Sequence, residues 1–199
     1  VLIADVLLIV VPPLFGVPLT IKECFFLAGT PSTIGLNTPD LQQPVAEDGL
    51  FVRRLREAGA IILGKTNLPQ LMIWHESDNP VYGRTNNPWD LNRTCGGSSG
   101  GEAAIIAARG SPLGLANDLG GSIRIPAAAC GVVGFKPTYG RLNSEGVYPL
   151  TWSLDTVGPL ARSVVDTRLT WSVLAGHAAA PLETPDLKGF RIGVAGPFF

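Results

Sequence analysis

Charge, histidine and cysteine are all scarce in this 199-residue chain. Charged residues make up 16% of it with a formal net charge of −1, against a usual charged share of about 25%. That leaves no electrostatic footprint for nucleic acid and no basic face for an acidic partner. The three cysteines, Cys24, Cys95 and Cys130, are odd in number and lack C-x-x-C spacing, which argues against a disulfide framework or a zinc site. They read as the reduced thiols of a cytoplasmic protein. The only histidines, His75 and His177, both read as structural, since neither lies in a loop shaped to hold a base. No apolar run reaches the roughly 20 residues that a membrane span needs. Residues 1–11 are apolar but short and interrupted by Asp5, and they lack the basic start and small-residue cleavage site of a secretory leader. Nothing in the segment points to membrane association, and no internal repeat or low-complexity tract is present.

What the chain does have is apolar material, 46% of residues, together with 24 glycines and 17 prolines. That balance suits a buried sheet joined by many shaped loops. Hydrophobic patterning predicts strands near 17–21, 60–63, 112–116 and 191–195, and helices near 48–57, 99–108 and 164–174. Alternation of the two implies an α/β fold, a mixed β-sheet flanked by helices. Ser163-Val164-Val165-Asp166 begins the last helix like a capping box, and Gly176 ends it. Residues 177–199 read as a linker and the start of a further strand, following a core over about 15–176.

Two glycine loops carry serine: Cys95-Gly96-Gly97-Ser98-Ser99-Gly100-Gly101 and Asp118-Leu119-Gly120-Gly121-Ser122-Ile123-Arg124. Acyl transfer needs a hydroxyl that attacks a carbonyl and backbone N–H groups that crowd around the oxyanion formed. Glycine lets those amides approach and adopts the turns that aim them at one point. Ser122 does not sit in a G-x-S-x-G elbow, because Gly121 precedes it and Arg124 holds the second glycine position. With histidine set aside, lysine is the base to look for. Lys22 closes the apolar, β-favouring run Gly16-Val17-Pro18-Leu19-Thr20-Ile21. Buried at a strand end, it could lose its charge near neutral pH; solvated, it would pair with Glu23. The strand alone leaves both open.

Two other motifs compete. Gly59-Ala60-Ile61-Ile62-Leu63-Gly64-Lys65-Thr66 fits the phosphate-loop pattern. Its middle residues, however, read as a buried strand preceded by a helix, the reverse of the order a phosphate loop needs. Cys24 has the residue type of a thiol nucleophile but no glycine-built turn of its own.

The segments Gly16–Glu23, Gly96–Gly101, Asp118–Pro126 and Gly134-Phe135-Lys136-Pro137-Thr138 together resemble the amidase signature family, in order and spacing, from about Phe15 to Gly196. The resemblance implies a triad of Ser122 as nucleophile, Ser98 as a bridging serine on a cis peptide after Gly97, and Lys22 as base. It further implies an oxyanion hole from the backbone of Leu119, Gly120, Gly121 and Ser122. Gly97, Ser99, Asp118 and Arg124 are supporting residues, with Ser99 expected to bond within its own loop and Asp118–Arg124 to form a bracing ion pair. Glu23 departs from the aspartate common after the family lysine. The implied reaction hydrolyses a carboxylic amide with no metal or organic cofactor, acting on a small-molecule substrate, with a homodimer as the candidate assembly. Family members extend upstream and well beyond the last residue here, so residues 1–199 are expected to form a single partial amidase domain, incomplete at both ends. The alternative is a catalytically silent fragment or interaction module that keeps the motifs without a complete pocket.

Overall fold

A computed structural model describes residues 11–179, 186–191 and 193. In chain order its strands are β1 (Pro18–Lys22), β2 (Ile61–Thr66), β3 (Asp78–Asn79), β4 (Gly83–Arg84), β5 (Asn86–Asn87), β6 (Asp90–Thr94), β7 (Leu113–Asp118), β8 (Val133–Gly134) and β9 (Thr156–Ala161). The helices are α1 (Leu50–Glu57), α2 (Gly100–Ala107), α3 (Arg124–Cys130) and α4 (Val164–Ala175). Five strands form the main sheet in the order β2-β1-β7-β9-β8, while β3-β4 and β5-β6 are two small hairpins. β1 runs parallel to β2 and β7, and β9 runs antiparallel to both β7 and β8. The architecture is the mixed α/β sheet with flanking helices that the sequence predicts.

Side-chain alternation along β1 explains how one strand serves both a core and a polar site. Leu19 and Ile21 are buried with Leu115 of β7, Phe51, Val52 and Leu55 of α1, and Leu174 of α4. Each such side chain contributes about 1.5–3 kcal/mol of burial. Thr20, between Leu19 and Ile21, bonds instead to Glu102 of α2. A second cluster, containing Ala103 and Ile106 of α2, Ala127 of α3, Ala116 of β7 and Leu160 of β9, joins the helices that follow the two serine loops to the sheet. α4 starts and ends as expected: the Asp166 N–H donates to Ser163 Oγ at 3.1 Å, the Ser163 hydroxyl donates to the Asp166 carboxylate at 2.7 Å, and Gly176 closes the helix.

Seven elements escape the sequence patterning: the short strands β3, β4, β5, β6 and β8, together with β9 and α3. β9 carries Gly158-Pro159, a strand-breaking pair by composition. Leu115 of β7 lies opposite Pro159, whose carbonyl accepts from Phe135 N–H just beyond β8 at 3.1 Å. In an antiparallel ladder a residue's N and O face the same side, so the missing N–H falls where β8 is ending. α3 contains Pro126 in its first turn, where no intrahelical donor is lost. β2 and β7 each run two or three residues past their predicted ends, carrying Thr66 and Asp118 to the sheet edge. The strand expected near 191–195 lies mostly outside the described residues; Arg191 and Gly193, which are described, are not in strand conformation. Among the described residues no helix is long and apolar enough to cross a membrane.

Glu102 ties α2 to the sheet. Its side chain is fully buried and accepts hydrogen bonds from the hydroxyls of Thr20 on β1 and Thr66 on β2. Burial pushes its carboxyl from the usual 4.5 up to about 7, against the opposing pull of those hydroxyls and of Lys22. Because the folded state holds this proton more tightly than the unfolded chain, the group's stabilising contribution is full below about pH 4.5 and is lost as pH rises to about 7. Urea unfolding of the wild type and of Glu102→Gln between pH 4 and 8 should therefore show wild-type stability falling relative to the variant across that window. A difference independent of pH would count against a buried, proton-holding Glu102.

Candidate active site

The parallel strands β1 and β7 both end on one edge of the sheet, the usual location of ligand sites in α/β folds. Lys22 is the last residue of β1 and has no solvent exposure. Its Nζ lies 2.6 Å from Ser98 Oγ, a residue 76 positions away, and donates to Asn117 Oδ1, also at 2.6 Å. The solvated arrangement paired with Glu23 does not occur. Glu23 instead accepts from the backbone N–H groups of Thr33, at the shortest separation, and of Ile34 at 3.0 Å, and from the Tyr82 hydroxyl at 3.2 Å. Burial pushes the Lys22 amine from 10.5 down to about 8, with the carboxyl groups of Asp118, Asp155 and Glu102 pulling the other way. An amine with that proton affinity has a substantial neutral fraction near pH 8 and can act as a base.

Ser98 is held by its own loop. The Gly97–Ser98 peptide is cis, as expected, and both serines of the loop are buried. Gly97 cannot be replaced without displacing its neighbours: a Cβ there would lie 2.6 Å from Trp74 O, 2.9 Å from His75 C and 3.0 Å from Glu76 N. His75 and its neighbours thus supply backbone packing beneath the loop, and the imidazole itself is exposed. Ser99 bonds differently from expectation. Rather than closing its own loop, its hydroxyl donates to Asn117 O at 3.3 Å and its N–H to Ser122 O at 3.1 Å. These bonds lash the two serine loops together through the end of β7.

Asp118 organises the second loop. Its carboxylate accepts from the N–H groups of Gly121 (2.8 Å), Ile123 (2.9 Å) and Arg124 (3.3 Å), and from Arg124 Nε (3.1 Å) and Nη2 (2.8 Å). Burial alone would raise its pKa, but the bonds from Arg124 and these backbone amides outweigh it and hold the carboxyl below its ordinary value. The predicted Asp118–Arg124 ion pair is present. Within the expected oxyanion set, the Gly121 N–H donates to Asp118 Oδ1. The left-over donors are the N–H groups of Leu119, Gly120 and Ser122, which have no hydrogen-bond partner among the described residues. Gly121 adopts φ +124°, a conformation that requires glycine, and so turns the chain back toward α3.

Ser122 is 7% exposed and sits immediately before α3. Its hydroxyl makes no hydrogen bond to Ser98 among the described residues; its carbonyl is fixed by Ser99 instead. The sheet therefore brings Lys22 and Ser98 into contact and sets Ser122 in the adjoining loop. The residue that motif reading missed is Asn117, the first polar side chain after Leu113–Ala116. Its position directly before Asp118, at the mouth of an apolar strand, was the available signal. Cys24 donates to the same Asn117 oxygen at 3.7 Å, and burial pushes its thiol up to about 12, so no thiolate forms near neutral pH. Among the described residues no group of three or more His, Cys, Asp or Glu side chains could hold a metal ion. In the phosphate-loop-like segment, β2 occupies the would-be loop, and Lys65 donates to Pro31 O at 2.6 Å and Ser32 Oγ at 2.8 Å.

Residues 9–195 match the family model described as Amidase. A glutamyl-tRNA(Gln) amidotransferase subunit from Nitratidesulfovibrio vulgaris is 45% identical over 202 residues, which cover 94% of this chain and 41% of that protein. AtzE of Pseudomonas sp., a component of 1-carboxybiuret hydrolase, is 39% identical over 203 residues, 96% of this chain and 44% of that protein. Among solved structures, native peptide amidase from Stenotrophomonas maltophilia superposes with a TM-score of 0.78 at 37% identity, covering 83% of this chain and 35% of that one. The chain thus spans less than half the length of the curated relatives it matches.

The tight backbone packing at Gly97 generates a direct expectation. Gly97→Ala must push segment 74–76 or the Ser98 loop aside, at the cost of about 1–3 kcal/mol typical of overpacking. Thermal unfolding should show the loss, and the ring and backbone resonances of Trp74 and His75 should shift. A variant with wild-type melting and unshifted resonances would contradict this geometry.

Proposed function

The chain belongs to the amidase family, and from that premise we propose that it cleaves carboxylic amides through an acyl-enzyme on Ser122. The carrying observation is the 2.6 Å contact between Lys22 Nζ and Ser98 Oγ at a position with no solvent exposure. A lysine desolvated against a serine, beside a glycine loop bearing a second serine, is suited to proton relay and to little else.

In the proposed sequence the neutral Lys22 amine takes the Ser98 hydroxyl proton while Ser98 takes that of Ser122. Ser122 Oγ bonds to the amide carbon, and the carbonyl π electrons move onto oxygen. The oxyanion is held by the N–H groups of Leu119, Gly120 and Ser122; the Gly121 amide joins them only by sharing its bond to Asp118. Collapse re-forms the carbonyl and breaks the C–N bond, and the departing nitrogen receives the proton returned by Lys22 through Ser98. Water then attacks the ester, passing a proton along the same path, and releases a carboxylic acid and free Ser122. The Ser98–Ser122 bond that this relay needs forms on substrate binding, as catalytic hydrogen bonds commonly tighten in the Michaelis complex. The products are a carboxylate and ammonia or an amine. Asp118 acts on the loop rather than on substrate, fixing Gly121, Ile123 and Arg124 so that the remaining amides stay aimed.

Intact-mass analysis after exposure to a fluorophosphonate serine-hydrolase probe tests the reading. A single adduct is expected on the wild type and none on Ser122→Ala, with Lys22→Ala slowed by about 10²–10⁴, the usual worth of a general base. Because the base must be neutral, the labelling rate should rise with pH about tenfold per unit below 8 and level off above it. Folded, unlabelled wild-type protein would support the alternative of a silent chain, and a rate flat from pH 6 to 9 would exclude neutral Lys22 as base.

A further inference from the structure

Lys22 has two close polar neighbours, Ser98 and Asn117. We propose that Asn117 is the positioning residue of the base, its side-chain oxygen fixing one Lys22 N–H so that the amine's lone pair is directed at Ser98. This rests on the reading of Lys22 as the base. A primary amine at the end of a four-carbon stem rotates freely unless a donor position is tied down, and an untied lone pair meets Ser98 only part of the time. Asn117 suits the task on three counts. It lies on β7, which pairs directly with β1, so the two backbones that carry the contact are hydrogen-bonded to each other. Its backbone carbonyl accepts from Ser99 and its chain neighbour is Asp118, so it is coupled to both serine loops. Its side chain is turned with the oxygen inward, because Cys24 Sγ and Lys22 Nζ are both donors to the same atom.

The amide is also the right chemical type. The groups that face Lys22 from the elements around it are Cys24 after β1, Asp118 at the end of β7, Asp155 before β9 and Glu102 on α2; the carboxyl groups pull its proton affinity up, while the Cys24 thiol, held neutral by burial, adds no charge near neutral pH. Asp118 is committed to Arg124 and its own loop, and Glu102 to two threonines. A carboxylate at position 117, placed as closely as the amide oxygen now is, would hold the amine as ammonium and remove the base. A neutral acceptor orients without charging.

The test is a side-chain 13C/15N titration of Lys22, assigned through Lys22→Arg among the chain's four lysines, in the wild type, Asn117→Asp and Asn117→Ala, with fluorophosphonate labelling measured in parallel. Asn117→Asp should raise the Lys22 midpoint by about one pH unit or more and move the labelling profile upward with it. Asn117→Ala should slow labelling on the high-pH plateau by about tenfold or more, since above the midpoint only orientation is lost. An unchanged Lys22 midpoint in Asn117→Asp, or an unchanged plateau in Asn117→Ala, overturns the proposal. Asn117→Asp is close in size to the native residue and keeps the test available should the alanine variant fold poorly. A raised Lys22 midpoint in Asn117→Asp alongside a wild type that never labels would sustain the Asn117–Lys22 coupling while sinking the acyl-enzyme reading.

Discussion

An amine with no contact to water governs the arrangement of everything near it. An ammonium in such a place is costly unless hydrogen bonds and nearby charge compensate, and Lys22 is compensated by Ser98, Asn117 and a surrounding set of acidic groups. That compensation is only partial, which is why its proton is loosely held. To build the environment, β1 must be central enough to be covered on both faces, β7 must lie beside it, and the loop before α2 must close over the strand end. The first core cluster, with α1 and α4, secures β1 and β7, while Glu102 anchors α2 to β1 and β2.

The second loop is organised by a charge of the opposite kind. Asp118 is buried yet remains a carboxylate because five donors from its own loop converge on it. That concentration of bonds makes the turn before α3 rigid, and it explains why Gly121, one of two adjacent glycines, is spent on structure rather than left to face the site. Lys22 and Asp118 are thus complementary: burial loosens the proton of one, and hydrogen bonding keeps the proton off the other.

Local patterning was a good guide wherever a segment obeyed a single rule. The strand in residues 60–63 was readable because Ala60 to Leu63 is apolar between helix-like and polar flanks, and the same reading dismissed the phosphate-loop pattern around Lys65. It failed where two rules collided. β9 is an interior strand containing Gly158-Pro159, tolerated only because β8 stops two residues into its pairing. α3 is seven residues long with a proline in its first turn, and no periodicity survives over so short a span.

The roster of chemical groups is a property of the sequence: two glycine loops with serine, a lysine closing an apolar strand, and an Asp–Arg pair six residues apart that can meet within one turn. Glycine spacing and short-range hydrogen bonding are local, so they are legible in the order of residues. The partnerships across 76 residues to Ser98 and 95 to Asn117, the loss of the Gly121 amide to Asp118, and the weakened basicity of Lys22 were decided by tertiary structure alone. Each depends on which strands are neighbours and on how completely water is excluded. Both are set by the packing of the whole sheet, which no local pattern encodes.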